Sequence, residues 1–300
     1  MHVMKHLSLK TRNIIVTSTV CAIALVTGVG LGTYFGQEMF GAGPTFEDGD
    51  LMAYEDDSVK IFKKYEKGAS LDSLEPYELV SIANSIYDET PNHYSKITGT
   101  VDAGLVIQTV DTIAGRSDSE YFLESISCSS IVSVAKRFYQ TGDSIVEYNG
   151  TSIDKAQLSA TWGDKIEFAS GKEFELKWGK EVKRSSIYII SSKTVTSSSK
   201  TQDDKGNWIV DLTLDPNTST LRYARQIVNM SGLKKLPVFH SLEIQYVMDS
   251  SLNLISRTIN ENYDVNKMGV HNSTGILKET YHVGGFKLPD IKTNCPYGGN

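Results

Sequence analysis

Three cysteines in 300 residues are too few for a scaffold stapled by disulfides, so the fold must rest on a packed core. Cys21 lies inside an apolar run and reads as a small hydrophobe there. That leaves Cys128 and Cys295, which give at most one bridge; a disulfide between them and two separate thiols are both open. Signatures of chemistry are missing as well. There is no G-x-S-x-G turn, no G-x-x-x-x-G-K-[ST] phosphate loop and no H-E-x-x-H pair. His93, His240, His271 and His282 are scattered without the i, i+4 spacing of a zinc helix. S-x-x-K occurs at Ser133–Lys136 and Ser231–Lys234, but the K-T-G and S-D-N companions are absent. The expectation is a non-enzymatic chain with no catalytic residue, no cofactor and no metal. Carboxylates are the one open route to catalysis, because a glycosidase needs only two. A surface glycoside hydrolase therefore stays as a minor alternative.

Charge is absent from Ile14 to Phe35, twenty-two residues that as a helix would extend about 33 Å, enough to span a bilayer core. Acids are absent from residues 1 to 36, whereas Lys5, Lys10 and Arg12 precede the run. After it come Glu38, Glu47, Asp48, Asp50, Glu55, Asp56 and Asp57. By the positive-inside rule the segmentation is a cytoplasmic tail at 1–13, a transmembrane anchor at 14–35 and an acidic juxtamembrane linker at 36–57. An extracytoplasmic β-rich domain follows at 58–290, then a C-terminal tail at 291–300. The alternative is a secretory signal cleaved near Gly28-Val29-Gly30, although the run exceeds the usual signal core of about 7–15 residues. Beyond the run stand 27 basic against 36 acidic residues, a formal charge of −9, which argues against nucleic acid as a partner.

What is plentiful is alternation of apolar and polar residues. Helices are expected only at Ser58–Lys67, after a cap at Ser73 with Pro76 in the first turn, and from Thr218 through Leu221, Ala224, Ile227 and Val228. A two-residue period runs through 97–107, Tyr121–Cys128, Ser144–Tyr148, Lys165–Phe168, Glu173–Trp178 and Ser186–Ile190. It returns at Trp208–Leu214, Leu242–Met248, 255–265 and Leu277–Val283. Turn residues separate these stretches, among them Asn149-Gly150 and Ser170-Gly171-Lys172, and Ser191–Lys200 reads as a long hairpin tip. The fold class expected is α+β, predominantly antiparallel β. On the stretch 255–263, Arg257 and Glu261 share a face with Ile255, Ile259 and Tyr263, as a polar pair lining a cavity or as a salt bridge with each other. With Tyr246 and Met248 these seven are the candidate cavity residues.

The order of elements resembles a known family. W-I-V-D-L-T-L-D-P at Trp208–Pro216, then a helix, then LEIQYVMD, LISRTINENYDV and ILKETYHV, is similar to the LolA/LppX-like lipoprotein-carrier fold, over roughly residues 75–285. The resemblance implies a curved antiparallel half-barrel whose concave face is covered by helices. It also implies an apolar ligand such as a lipid or lipoprotein acyl chain, or a role as an envelope sensor. It transfers no functional residue. An anchor in place of a lipobox or cleavable signal suits a tethered receptor or sensor rather than a soluble shuttle. The other expectation is a scaffold subunit of an envelope complex, with Gly28, Gly30 and Gly32 giving the anchor a close-packing patch.

Overall fold

Alternation governs most of the molecule, and it produces a single sheet. The computed structural model describes residues 58–102, 107–130, 133–178, 182, 184–225, 235–266 and 270–297. The expected tail 1–13, anchor 14–35 and linker 36–57 lie outside the described residues, as do Ile227 and Val228 of the third expected helix. No helix among the described residues is long and apolar enough to cross a membrane.

Strands β1 (Asn92–Asp102), β2 (Ile107–Ser117), β3 (Glu120–Cys128), β4 (Ser133–Thr141), β5 (Ser144–Asp154) and β6 (Ser159–Phe168) form one meander. Strands β7 (Val195–Gln202), β8 (Trp208–Leu214), β9 (Val238–Met248), β10 (Leu254–Asn266) and β11 (Val270–Val283) form a second. Pairing of β1 with β11 joins them, among the described residues, into one curved, unclosed antiparallel sheet of eleven strands, with β6 and β7 at its edges. At this seam a Cβ on Gly99 would lie 2.2 Å from the Ile276 carbonyl oxygen, so only glycine allows the two strands to approach so closely.

One face, the inner one, carries the main core. Helix α2 (Pro76–Glu89) packs on β7, β8 and β10 and brings Leu79, Ile82, Ala83 and Tyr87 into one buried cluster with Val210, Leu212, Ile244 and Tyr246. Each such fully buried aliphatic side chain contributes about 1.5–3 kcal/mol. Helix α1 (Ser58–Glu66) is tied to α2 by Lys64, which donates to Glu78 at 2.9 Å. Helix α3 (Gly171–Trp178) covers the β4–β6 end through Phe174 and Trp178, and α4 (Pro216–Ser219) starts a short helical stretch against β9. On the outer face, the tail expected as a separate segment from 291 lies on β1–β4 through residue 297, with Phe286 and Cys295 packed on Ile113 and Phe122.

Several expectations are corrected. Ser73 does not cap α2; it closes a 3-10 turn at Leu71–Ser73, and Glu75 is the cap residue, its N–H bonded to Glu78 at 2.8 Å. The alternation expected across 97–107 is divided between β1, which ends at Asp102 with Val101 buried, and β2, which starts at the exposed Ile107; Ala103 and Leu105 lie outside the described residues. Asn149-Gly150 is inside β5, where a Gly150 Cβ would stand 2.6 Å from that of Ala135 and the register shifts on either side. Gly275 lies inside β11. Glu173–Trp178 is helical because Phe174 and Trp178 are also i, i+4, and that face is the one buried. Ser186–Ile190 joins no ladder; it crosses the inner face as a cover, with Ile189 N–H donating to Ser219 O at 2.8 Å. Ser191–Lys200 is largely the edge strand β7 rather than a hairpin tip.

Candidate functional site

Between the sheet and its cover lies a cavity of about 150 Å³. Ser95 and Ile97 of β1, Thr112 of β2, Ser125 of β3, Arg257 and Ile259 of β10 and Glu279 of β11 form its floor. All of these point inward because β pairing keeps them in cross-strand rows: Thr112 is opposite Ser125 and Ile97, Ile97 is opposite Glu279, and Glu279 is opposite Arg257. The walls and roof are largely aromatic. Phe138, Phe174 and Trp178 pack edge to face at one end, with Phe138–Phe174 and Phe138–Trp178 centroids 5.4 and 4.8 Å apart. Tyr87, Tyr188 and Tyr223 close the other, Tyr188 and Tyr223 being T-shaped at 5.6 Å. Arg184, which is exposed, stands at the rim.

The charges inside are matched. Arg257 Nε is 2.5 Å from Glu279 Oε2, and its Nη2 donates to the Ser185 carbonyl at 3.1 Å. The Tyr281 hydroxyl donates to Glu279 at 3.0 Å. Beyond the floor on β4, Lys136 pairs with Glu147 of β5 and lies over the Trp178 ring. His93 donates from Nδ1 to the Thr90 carbonyl at 2.7 Å, and burial pushes its basicity down, so the ring is neutral near pH 7.

Glu261 stands beside this floor, two residues from Ile259 on the same face of β10. Its carboxylate accepts from Tyr188 at 2.7 Å and from Tyr223 at 3.1 Å, tying the cover to the sheet. Burial pushes its carboxyl up to about 7, and the two phenol hydrogen bonds hold it back from rising further. Gly275 makes the room: a Cβ there would be 2.9 Å from Glu261 Cγ and Oε1.

Of the seven residues singled out in the sequence, Arg257 and Ile259 line the cavity. Tyr246, Met248, Glu261 and Tyr263 are buried on the same inner face, packed as core beside it. Ile255 is 40% exposed, a correction that follows from a bulge between Leu254 and Ser256, which breaks the alternation and puts Leu254 inside instead. The salt bridge considered between Arg257 and Glu261 is not formed; each has a different partner. No disulfide joins Cys128 and Cys295, which belong to separate clusters of the outer face. Among the described residues no cluster of His, Cys, Asp or Glu is arranged to hold a metal ion. Missed in the sequence were Glu279, Thr112, Ser125 and the covering tyrosines. Only Glu279 carried a signal, as an acid in phase with Leu277 and Tyr281.

No family model matches the chain, and no curated protein matches it. Among solved structures, the ywiB protein from Bacillus subtilis is similar over 66% of this chain and 94% of its own, at 10% identity and a TM-score of 0.17. A DUF1329 family protein from Desulfovibrio piger is similar over 69% of this chain and 91% of its own, at 8% identity and a TM-score of 0.21. At such scores the likenesses assign neither family nor function.

Proposed function

We propose that this chain is a non-enzymatic binding protein that holds an apolar ligand between its sheet and the cover, tethered to a membrane by residues 14–35 with the β-rich body outside. The observation that carries the reading is the aromatic-walled cavity on the inner face, roofed by Trp178, Tyr188 and Tyr223. A well-formed, largely apolar cavity with a few convergent polar groups is the usual form of a small-molecule site. The ion pair on its floor, Arg257 with Glu279, is satisfied within the protein, so it shapes the floor without demanding a charged ligand.

The test is to purify the full chain in nanodiscs made from one synthetic lipid, extract with organic solvent, and analyse the extract by mass spectrometry. A compound other than that lipid, near one per chain, and lost when Ala114 of the cavity wall is replaced by Phe, is the expected result. Absence of any such compound, together with no uptake of added lipids, fatty acids or small aromatics over empty nanodiscs, would overturn the reading.

A further inference from the structure

Volume and lining together narrow the ligand class. A cavity of about 150 Å³ is the size at which apolar protein cavities take up benzene, and falls below the ~300–1,000 Å³ of sites for drug-sized ligands. A long acyl chain exceeds this volume; a single ring does not. Phe138, Phe174 and Trp178 offer ring faces and edges to such a ligand.

The floor adds one polar feature. Thr112 Oγ1 and Ser125 Oγ lie 2.6 Å apart, both buried, and share one hydrogen bond. Two hydroxyls carry two protons, and their mutual bond uses one, so the pair still offers a donor and lone pairs to the cavity. Near them, the buried Tyr87 hydroxyl stands by Ser95 without closing a hydrogen bond of good geometry. Every such group is a neutral hydroxyl. On the floor Arg257 is paired with Glu279, just beyond it Lys136 is paired with Glu147, and Arg184 stands at the exposed rim. A buried ligand charge would face no uncompensated opposite charge.

We propose that the cavity accepts a compact neutral molecule, one aromatic or alicyclic ring bearing a hydroxyl group, and anchors that oxygen on the Thr112–Ser125 pair. This rests on the reading of the cavity as a ligand site. The experiment is equilibrium dialysis of the full chain in nanodiscs, with empty nanodiscs subtracted, against phenol, toluene, benzoate and palmitate. Phenol and toluene have nearly the same shape and differ in the hydroxyl. Phenol binds at one site per chain, at least tenfold more tightly than toluene or benzoate. The double variant Thr112→Val, Ser125→Ala weakens phenol at least tenfold and leaves toluene unchanged, which also reports that the variant is folded. Should the variant fail to fold, the wild-type comparison of phenol with toluene decides alone. Equal binding of phenol and toluene, equal binding of phenol and benzoate, or binding of palmitate without phenol overturns this proposal while the apolar-ligand reading survives. No binding of any of the four overturns both.

Discussion

Glu261 is the residue whose environment has the clearest consequence for the behaviour of the protein. Its carboxyl is pushed by burial from the ordinary 4.5 up to about 7. Between those values the folded protein holds a proton that the unfolded chain has released, so stability falls as pH rises through this window and levels off above it. At 1.36 kcal/mol per pH unit the full loss is about 3 kcal/mol. Urea midpoints taken from pH 4.5 to 8 should fall across that range for the wild type, and Glu261→Gln should flatten the profile. Parallel profiles for the two proteins would show that Glu261 does not titrate there. Steric room around the same side chain makes a second prediction. Gly275→Ala meets the flexible Glu261 side chain at 2.9 Å, whereas Gly99→Ala meets the fixed Ile276 carbonyl oxygen at 2.2 Å. The first should cost about 1–3 kcal/mol, the usual range for overpacking, and the second more, because strand β11 itself must shift. Urea denaturation of both variants ranks them; a Gly275→Ala loss equal to or larger than that of Gly99→Ala would contradict the argument.

At the level of elements, the sheet was legible and the cover was not. Leu242, Ile244, Tyr246 and Met248 alternate with exposed Glu243 and Gln245 because β9 is buried on one face only, and that pattern survives in sequence. The pattern fails where the chain departs from a plain ladder. At Leu254–Ser256 a bulge changes phase, and at Ser186–Ile190 an alternating segment crosses the sheet instead of joining it. Helix α3 had a signal that alternation hid. Ser170-Gly171-Lys172-Glu173 carries the S-x-x-E pattern of a helix start: Ser170 Oγ accepts from Glu173 N–H at 3.2 Å, and Glu173 Oε2 reaches back to accept from the N–H of Ala169, one residue before the cap, at 2.6 Å. Ser170→Ala should cost about 1 kcal/mol in thermal or urea unfolding. Because α3 carries Phe174 and Trp178 into the cavity, the same variant should speed amide exchange at 171–178 ahead of that in α2. Unchanged exchange there would mean that tertiary packing, not the cap, holds the helix. The cavity itself was partly legible, since Arg257 and Ile259 belong to one strand, while Thr112 and Ser125 come together only through pairing of strands that one sequence does not rank.

Across the whole molecule, the C-terminal segment is clasped to the outer face by one buried side chain. Arg137 is fully buried, and it makes four hydrogen bonds besides its ion pair with Glu124. Nε and Nη2 reach Glu124, Nη1 donates to the carbonyls of Asp290 and Ile291 at 3.1 and 2.9 Å, and Nη2 donates to that of Thr293 at 2.8 Å. Its guanidinium lies over the Trp162 ring at 4.3 Å, and the Tyr139 hydroxyl donates to the Pro289 carbonyl at 2.8 Å. Glu124 thus compensates the charge, while the tail uses the remaining donors. These two roles separate by mutation. Glu124→Leu alone leaves a buried guanidinium without its counter-ion and should cost about 3–5 kcal/mol. The double variant Glu124→Leu, Arg137→Met removes both charges, so the sheet should recover most of that loss, since apolar replacement of a buried pair is often neutral. The tail, however, loses the donors to its three carbonyls in the double variant, which lacks Arg137. Limited proteolysis should therefore cut within 285–297 at least tenfold faster in the double variant than in the wild type, at a urea midpoint close to the wild-type value. Equal protection of the tail in both proteins would show that Phe286, Leu288 and Tyr297, packed on Phe122 and Tyr94, are sufficient to hold it and that the Arg137 clasp is dispensable.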